Sequence, residues 1–300
     1  MKLVTLRDIL GKAEKGGYAV GAFNANNMEI VQAIIESAVE ERSPVIIQAS
    51  QGAIKYAGLD FIVSMVMTAA ESADVPVVLH LDHGTDFSQV MRCIRHGFSS
   101  VMYDGSRLPL NENISITKKV VEVARAVGVS VEAELGKIGG TEDDVSVDER
   151  DALFTDPQEA KIFVEETGVD ALAVAIGTAH GVYKGEPKLD FPRLRKIKEL
   201  TDVPIVMHGS SGVPDAAIRQ AVELGVSKIN IDTDIRQAFV RSAVAYMKEN
   251  PDNIDPRKIL APAKESAKKI IREKMRLFWQ FRQSLIKILN VERKDDANLS

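Results

Sequence analysis

The sequence has few features that would cross-link the chain or place it in a membrane. Its 300 residues include one cysteine, Cys93, so no disulfide can form within the chain. No run approaches the ~18 consecutive apolar residues of a membrane-spanning helix, and the N-terminal segment lacks the apolar core of a signal peptide. We therefore expect a cytoplasmic, enzyme-sized globular protein that does not associate with a membrane.

A strong charge of one sign is also absent. The chain has 38 Lys and Arg residues against 43 Asp and Glu residues, which gives a net charge of −5 and a pI near 5.7. This balance argues against a surface that coats nucleic acid, so we expect no nucleic-acid partner. Local basic residues remain available for a small phosphorylated substrate.

Short apolar runs of strand length recur along the chain, and segments with helical spacing separate them. Each run is almost continuously apolar, as in parallel strands that are buried on both faces. The eight runs are 18–23, 45–48, 75–81, 100–103, 129–135, 171–176, 204–208 and 228–231. Eight alternations of strand and helix predict a (β/α)8 TIM barrel, with an open doubly wound sheet as the structural alternative.

Two segments depart from this repeat. Residues 136–154 form a long glycine- and acid-rich stretch after the fifth strand, which indicates a functional lid or a disordered loop. Residues 256–290 predict an extended C-terminal helical region that packs on the barrel or on another subunit. We expect one domain over residues 1–290 and a polar tail over residues 291–300.

Three of the five histidines lie where predicted strands end. His83 follows the third strand, His180 follows the sixth and His208 closes the seventh, and each is followed by glycine. The carboxyl ends of barrel strands form the active-site face, so these side chains are expected to meet. Any one of them alone would more often be a structural histidine, but three neutral imidazoles with an open fourth position indicate a catalytic zinc site. His80, inside the third strand, is expected to pack in the barrel interior.

Carboxylates accompany these histidines. Asp82 precedes His83 and is either a support for the metal ligand or a proton donor. Glu132 and Glu134 alternate onto one face of the fifth strand, where a barrel interior holds carboxylates only if they are paired or near a metal. Glu142 lies on the glycine-rich loop, as a mobile general base or as part of a solvent-exposed acidic loop.

Two glycine- and hydroxyl-rich segments predict a phosphate site. HGSSGVP (208–214) follows the seventh strand and KINIDTD (228–234) contains the eighth, and each leads into a predicted helix. The ends of strands seven and eight often hold a phosphate at a helix N-terminus in barrels of this kind.

Together, these motifs resemble the class II fructose-bisphosphate and tagatose-bisphosphate aldolases. The resemblance covers residues 1–286 and is carried by HLDHG (80–84), VEAELGKIGGTED (131–143), GTAHG (177–181), HGSSG (208–212) and INIDTD (229–234). It implies a zinc ion held by His83, His180 and His208, with Glu134 near the metal. In the condensation direction, Glu142 would remove a proton beside the zinc-polarised ketone of dihydroxyacetone phosphate. Asp82 would protonate the alkoxide that forms on the aldehyde.

The resemblance also implies a set of substrate contacts. Asn24 and Ser50 match pocket-lining positions, and Arg236 and Arg257 match basic residues that meet the far phosphate, in part across a subunit boundary. The contacts to dihydroxyacetone phosphate match Gly181, Gly209, Ser210, Ser211, Asn230, Asp232 and Thr233. Further expectations are a monovalent cation, Na⁺ or K⁺, near the phosphate, and a homodimer or homotetramer.

Alternative functions remain open at this point. A Schiff-base aldolase needs a desolvated lysine at a strand end, but Lys228 lies at the start of the eighth strand and Lys184 in a loop. A metal-dependent hydrolase or isomerase has no evident need for two phosphate sites. A non-catalytic partner subunit would not need Asp82 and Glu142. Between the two sugars, fructose 1,6-bisphosphate is expected as the commoner substrate, with tagatose 1,6-bisphosphate as the alternative.

Overall fold

The computed structural model describes residues 3–142, 145–147, 153–183 and 185–278, without the side chains of 141–142 and 145–147. Eight parallel strands close into a barrel, because the first strand pairs with both the second and the last. The strands are β1 (Val20–Asn24), β2 (Val45–Ser50), β3 (Val77–Gly84), β4 (Ser100–Tyr103), β5 (Ser130–Leu135), β8 (Ala171–Val174), β10 (Ile205–Met207) and β11 (Val226–Ile231). The closed order confirms the predicted TIM barrel and excludes the open sheet.

Helices surround the barrel and follow the strands as predicted. Several begin at an Asp, Asn or Ser side chain that accepts a hydrogen bond from the first turn, as Asn27 and Asp156 do. The helices are α2 (Met28–Glu40), α3 (Gln51–Ala57), α4 (Leu59–Ser72), α5 (Phe87–Arg95), α6 (Leu110–Ala126), α7 (Pro157–Thr167), α8 (Phe191–Leu200), α9 (Asp215–Glu223), α10 (Thr233–Glu249) and α11 (Pro256–Leu277). Within the described ranges, no single helix is long and apolar enough to span a membrane. The helices α3 and α4 reach that length and hydropathy only when taken together, and the pair is bent by 97°.

The N-terminal end of the barrel is closed by α1 (Leu6–Gly16). Its buried face packs Leu6, Ile9 and Leu10 against a separate interior cluster that includes Val20 and Ile46. A capping box formed by Thr5 and Asp8 starts the helix. With its lower end sealed by apolar residues, the barrel presents its polar interior at the opposite, carboxyl end of the strands.

The long segment after β5 contains strands rather than a plain loop. β6 (Gly139–Glu142) pairs antiparallel with β7 (Val145–Val147) and parallel with β9 (Ala179–His180). Gly140 has a φ of 93°, and a Cβ there would collide with the carbonyl oxygen of His180. This small sheet ties the predicted lid segment to the segment that carries His180.

The helix α11 packs on the barrel through one face and on α2 through another. Ala263, Ala267, Ile271 and Met275 are its buried residues. Basic side chains at four-residue spacing form ion pairs with Glu36, Glu40 and Glu41 of α2, and we call this set the α2–α11 ladder. Its basic members are Lys264, Lys268, Arg272 and Arg276. The remainder of the predicted C-terminal helix and the tail lie outside the described residues.

Candidate active site

An irregular strand end brings two consecutive residues into the barrel mouth. The register between β3 and β4 shifts between Leu81 and Gly84, and His83 adopts a φ of 47°. A left-handed conformation is uncommon for a residue other than glycine and points to a constrained site. Successive side chains of a regular strand point to opposite faces, whereas here Asp82 and His83 both contact side chains of the site.

Three imidazoles meet at this mouth. His83 Nε2 lies 3.1 Å from His208 Nδ1, and the ring centroids of His83 and His180 are 5.0 Å apart. One nitrogen from each of the three rings lies within 4.8 Å of the others, and all three residues are buried. The structure thus brings together the three predicted metal ligands.

Two of these rings contact a carboxylate through the ring nitrogen that points away from the other imidazoles. His83 Nδ1 lies 2.9 Å from Asp104 Oδ2, and His208 Nε2 lies 2.8 Å from Glu132 Oε1. Because a carboxylate only accepts, these contacts place the ring proton on His83 Nδ1 and on His208 Nε2. The lone pairs of His83 Nε2 and His208 Nδ1 then face each other. Carboxylates that bind the outer nitrogen of a metal-ligating histidine are a common feature of metal sites.

The facing lone pairs fit a metal ion. Two acceptors 3.1 Å apart repel unless a cation or a proton lies between them, and nitrogens on a tetrahedral zinc are about 3.3 Å apart. Burial lowers the pKa of His208 even though Glu132 favours its charged form. A neutral imidazole is the form that binds a metal, so the donor set suits zinc.

Glu134 lies beside this cluster. Its Oε2 accepts no hydrogen bond from the described residues and is 3.4 Å from His208 Nδ1. Burial, followed by the charge of Asp104, raises the pKa of Glu134 well above its ordinary value. His83, Asp104 and Glu134 also have ligand atoms close enough to one another to hold one cation.

Asp104 is a site residue that was not predicted from the sequence. It directly follows β4 and accepts hydrogen bonds from His83 and from Ser106. Burial alone would raise the pKa of Asp104, but these hydrogen bonds outweigh it and hold the pKa far below its ordinary value. An acidic residue after an apolar strand, in MYDGS, was the available signal.

Asp82 is held by three amide side chains. Asn24 Nδ2, Gln48 Nε2 and Asn230 Nδ2 donate to its carboxylate at 2.9, 3.0 and 3.2 Å. Asn24 and Asn230 are predicted site residues, whereas Gln48 is not. The carboxylate is fully buried, so its position is fixed by these contacts rather than by solvent.

A buried ion pair between Lys228 and Glu132 lies next to the imidazoles and next to the amides that hold Asp82. Lys228 Nζ is 2.9 Å from Glu132 Oε2 and 2.8 Å from Asn230 Oδ1. Lys228 is the third residue of β11 rather than a residue at its start, and it is enclosed by the barrel. Glu132 is therefore paired, as a carboxylate in a barrel interior must be. His80 lies in the same interior and contacts Ser100 at 2.8 Å.

A polar pocket adjoins the imidazoles at the ends of β10 and β11. It is lined by His180, Gly181, Gly209, Ser210, Ser211, Asn230, Asp232, Thr233 and Arg236. Gly209 has a φ of 60°, and a Cβ there would lie 2.6 Å from the backbone of Ala179. The N-terminus of α10 opens into this pocket, which suits an anion.

Two side chains organise the pocket wall. The Ser211 hydroxyl accepts hydrogen bonds from the backbone N–H groups of Asp232 and Asp234, both at 3.3 Å. Arg236 pairs with Asp232 at 2.7 Å. The predicted phosphate contacts thus line one concave surface beside His180.

Tyr183 joins the segments that carry two of the imidazoles. Its hydroxyl accepts from the backbone N–H of Ala179 and donates to the carbonyl of Gly209, both at 2.7 Å. Burial raises the pKa of Tyr183 to about 12, so the hydroxyl keeps its proton at neutral pH. It therefore connects β9, which carries His180, to the loop after His208.

The remaining predicted residues are Ser50, which pairs with Asp82 in the register of β2 and β3, Arg257 and Glu142. Ser50 caps α3 by accepting a hydrogen bond from the Ala53 N–H. Arg257 is 88% exposed, pairs with Asp255 and does not line the pocket of its own chain. The backbone of Glu142 ends β6, and its side chain lies outside the described residues.

Comparison with known proteins adds a family to this geometry. The family model for class II fructose-bisphosphate aldolase matches residues 4–282. The chain is 48% identical to the fructose-bisphosphate aldolase of Thermus caldophilus, over 92% of this chain and 98% of that protein. It is 45% identical to the D-tagatose-1,6-bisphosphate aldolase subunit GatY of Klebsiella oxytoca, over 91% and 96%.

Solved structures give the same result. The chain resembles the YdjI aldolase of Escherichia coli K12 with a TM-score of 0.80 and 35% identity, over 92% of this chain and 97% of that one. It resembles the fructose-bisphosphate aldolase of Campylobacter jejuni with a TM-score of 0.78 and 27% identity, over 92% and 95%. These similarities extend across the barrel and the site.

Proposed function

The chain belongs to the class II fructose-bisphosphate aldolase family, and from this premise we propose that it cleaves fructose 1,6-bisphosphate reversibly into dihydroxyacetone phosphate and glyceraldehyde 3-phosphate, with zinc as cofactor. The observation that carries the proposal is the facing pair His83 Nε2 and His208 Nδ1, 3.1 Å apart, with His180 beside them. Asp82 and a polar pocket adjoin this group, so a metal ion, a proton carrier and a phosphate could act on one substrate.

His83, His180 and His208 would hold the zinc ion. When bound, zinc supplies a Lewis acid for the carbonyl group of the ketose. Asp104 and Glu132 keep the rings of His83 and His208 in the tautomers that direct a lone pair inward. The chain's own contribution is thus an orientation that exists before the metal binds.

Asp82 is assigned to the proton at the reacting hydroxyl. In the cleavage direction its carboxylate takes the proton of that hydroxyl as the carbon–carbon bond breaks, and in condensation it returns the proton. Asn24, Gln48 and Asn230 hold the carboxylate in place by donating to it. Glu142 is assigned to the proton on the carbon of the dihydroxyacetone phosphate half.

The pocket at the ends of β10 and β11 is assigned to the phosphate of that half. The N-terminus of α10 lies on its wall, together with the Ser211 hydroxyl that accepts from two backbone N–H groups there. Asp232 is paired with Arg236, which offsets its negative charge beside an anion. A monovalent cation, Na⁺ or K⁺, near this phosphate belongs to the same proposal.

A Schiff-base mechanism fits the interior less well. Lys228 Nζ donates to Glu132 and Asn230, so it is a hydrogen-bonded ammonium rather than a nucleophilic amine. Lys184, the other lysine considered, lies outside the described residues.

Tagatose 1,6-bisphosphate is the second candidate substrate, because the Klebsiella oxytoca relative is named for it at 45% identity. The name of that relative also includes the word subunit, which keeps a non-catalytic partner subunit as a remote third candidate. We further propose a cytoplasmic homodimer or homotetramer, in which the exposed Arg257 reaches the site of a neighbouring subunit. Light scattering coupled to size exclusion measures that state, and a monomer would contradict it.

The test is cleavage of the two bisphosphates side by side, before and after EDTA, with zinc added back. We expect cleavage that chelation abolishes and zinc restores, with the larger kcat/KM for fructose 1,6-bisphosphate. A larger value for the tagatose sugar would replace the substrate assignment. Zinc-bound protein that cleaves neither sugar would favour the partner-subunit function.

A further inference from the structure

Lys228 is a buried cation between the two functional groups of the site. Its three N–H bonds can donate in three directions, and its neighbours are Glu132 Oε2 at 2.9 Å, Glu132 Oε1 at 3.2 Å and Asn230 Oδ1 at 2.8 Å. The side chain has no exposure to solvent and does not line the pocket beside His180.

Through Glu132, Lys228 is linked by hydrogen bonds to the predicted metal ligand His208. Glu132 Oε1 accepts from Lys228 and, at 2.8 Å, from His208 Nε2. Since Glu132 Oε1 is the acceptor of both contacts, His208 carries its proton on Nε2. That tautomer leaves His208 Nδ1 as a lone pair facing His83 Nε2.

Through Asn230, Lys228 is linked by hydrogen bonds to Asp82. Lys228 occupies Asn230 Oδ1, so the amide nitrogen of Asn230 is directed away from the ammonium and donates to Asp82 Oδ1 at 3.2 Å. A flipped amide would place Nδ2 against the ammonium, where two donors repel. The orientation of Asn230, and with it one contact of Asp82, depends on the cation.

We propose that Lys228 is a positioning residue that orients the metal ligand His208 through Glu132 and the acid Asp82 through Asn230. The inference rests on the proposed function. A merely structural ion pair could be replaced by uncharged residues without consequence for the site. Here both ends of the pair terminate on groups assigned to the reaction, so its removal affects zinc binding and catalysis separately.

Three variants separate these effects. Lys228→Met removes the cation, and Glu132→Gln combined with Lys228→Met also removes the unpaired buried charge, while the amide oxygen introduced at position 132 can still accept from His208. Lys268→Met is the matched control, because Lys268 contacts two carboxylates, Glu36 and Glu40, on the outside of the barrel. Zinc affinity is measured against a chromophoric chelator, and kcat is measured with zinc in excess.

We expect Lys228→Met to weaken zinc binding by about 10- to 100-fold, as for removal of other supports of metal ligands. Its kcat should fall by about 10- to 100-fold even when zinc is saturating, because Asp82 is misplaced. The double variant should recover zinc affinity to within about threefold of the wild type while kcat stays low. Lys268→Met should change neither quantity.

Lys228→Met with wild-type zinc affinity and wild-type kcat would overturn the proposal. Recovery of both quantities in the double variant would reduce Lys228 to a counterion of Glu132 and would also overturn it. The zinc titration needs no substrate, so wild-type protein that binds zinc but cleaves neither sugar contradicts the proposed function alone. If neither variant folds, ¹⁵N-histidine NMR of metal-free wild-type protein tests the proposal instead. A His208 protonated on Nδ1 would contradict the link from Lys228 through Glu132 to His208.

Discussion

The described residues contain two dense groups of charge, one inside the barrel and one between α2 and α11. In the interior, Glu132 and Lys228 have no exposure, and each ion-pair partner also contacts a residue assigned to the reaction. In the α2–α11 ladder, the exposed fraction of the side chains ranges from 3% for Glu41 to 57% for Arg276, and the ion pairs join ladder members to one another and to Glu265. Both groups consist of ion pairs, but only the interior pair contacts residues assigned to the reaction.

The difference follows from solvation. A charge removed from water loses several kcal/mol of hydration and must regain it from its partners, so a change at one interior residue affects all its neighbours. Charges at a surface keep much of their hydration, and each pair adds little. The interior group should therefore control zinc binding and catalysis, and the ladder should contribute modestly to stability alone.

The largest effect is expected at Asp82. Replacement by alanine removes the proton carrier, and we expect kcat for cleavage to fall by about 10²- to 10⁴-fold. Zinc affinity should stay close to that of the wild type, because Asp82 makes no contact with the three imidazoles among the contacts described. Steady-state cleavage and zinc titration check the two statements. A variant that loses zinc instead would place Asp82 with the metal ligands.

Lys228→Met should have the largest effect on folding. It leaves the Glu132 carboxylate buried beside His208 without its cation, and removal of one partner of a buried pair costs about 3–5 kcal/mol. Urea unfolding of the metal-free protein gives the free energy of unfolding. The double variant with Glu132→Gln should recover most of the loss. Equal losses in the two variants would contradict this account of the interior pair.

Tyr183→Phe tests the link between β9, which carries His180, and the loop that follows His208. The variant removes the hydroxyl that joins Ala179 and Gly209 but keeps the ring, and we expect kcat/KM to fall about tenfold, equivalent to about 1.4 kcal/mol. Tyr246→Phe, on α10, is the control, since its hydroxyl contacts only Asn253 among the hydrogen bonds described. Similar kinetics for both variants would remove Tyr183 from the site.

In the ladder, Glu41→Gln should affect stability and its pH dependence but not catalysis. Burial raises the pKa of Glu41, but hydrogen bonds from Arg276 and Arg272 outweigh it, so the net pKa lies below the ordinary value of 4.5. The carboxylate therefore stabilises the fold above that value and loses this contribution as the pH falls through the lower folded-state pKa.

We expect Glu41→Gln to lower the free energy of unfolding by about 1–3 kcal/mol at pH 7 and to flatten its fall below pH ~4.5. Urea unfolding over a pH series measures both. Lys264→Met serves as a partly exposed control in the same ladder and should cost less than about 1 kcal/mol. A change in zinc affinity in either variant would contradict the expectation that the ladder contributes to stability alone.

The barrel could be predicted from the sequence because its signals are local. Eight apolar runs and the helical spacing between them identify the strands to within a few residues, as at 100–103, where the bounds coincide. The same logic places His83, His180 and His208 at one end. The helix α1 has a readable start in the Thr5 and Asp8 capping box, although no helix was predicted there.

The remainder depends on contacts between distant segments. Pairing of Gly140 with His180 turns a presumed loop into a sheet, and no local pattern near either residue indicates it. Lys228 and Glu132 lie on strands that are not neighbours in the barrel, so their contact follows from closure and not from spacing. Asp104 and Gln48 are single polar residues whose partners are known only once the barrel is built.

We expect that one metal ion held by His83, His180 and His208 supports cleavage of a ketose bisphosphate. To test this, metal-free protein is titrated with zinc while cleavage of fructose 1,6-bisphosphate is measured. We predict no cleavage at the start and a linear rise that ends at one zinc ion per chain, with no rise in a His180→Ala variant. Full activity in the metal-free protein, or an unchanged titration in that variant, would contradict it.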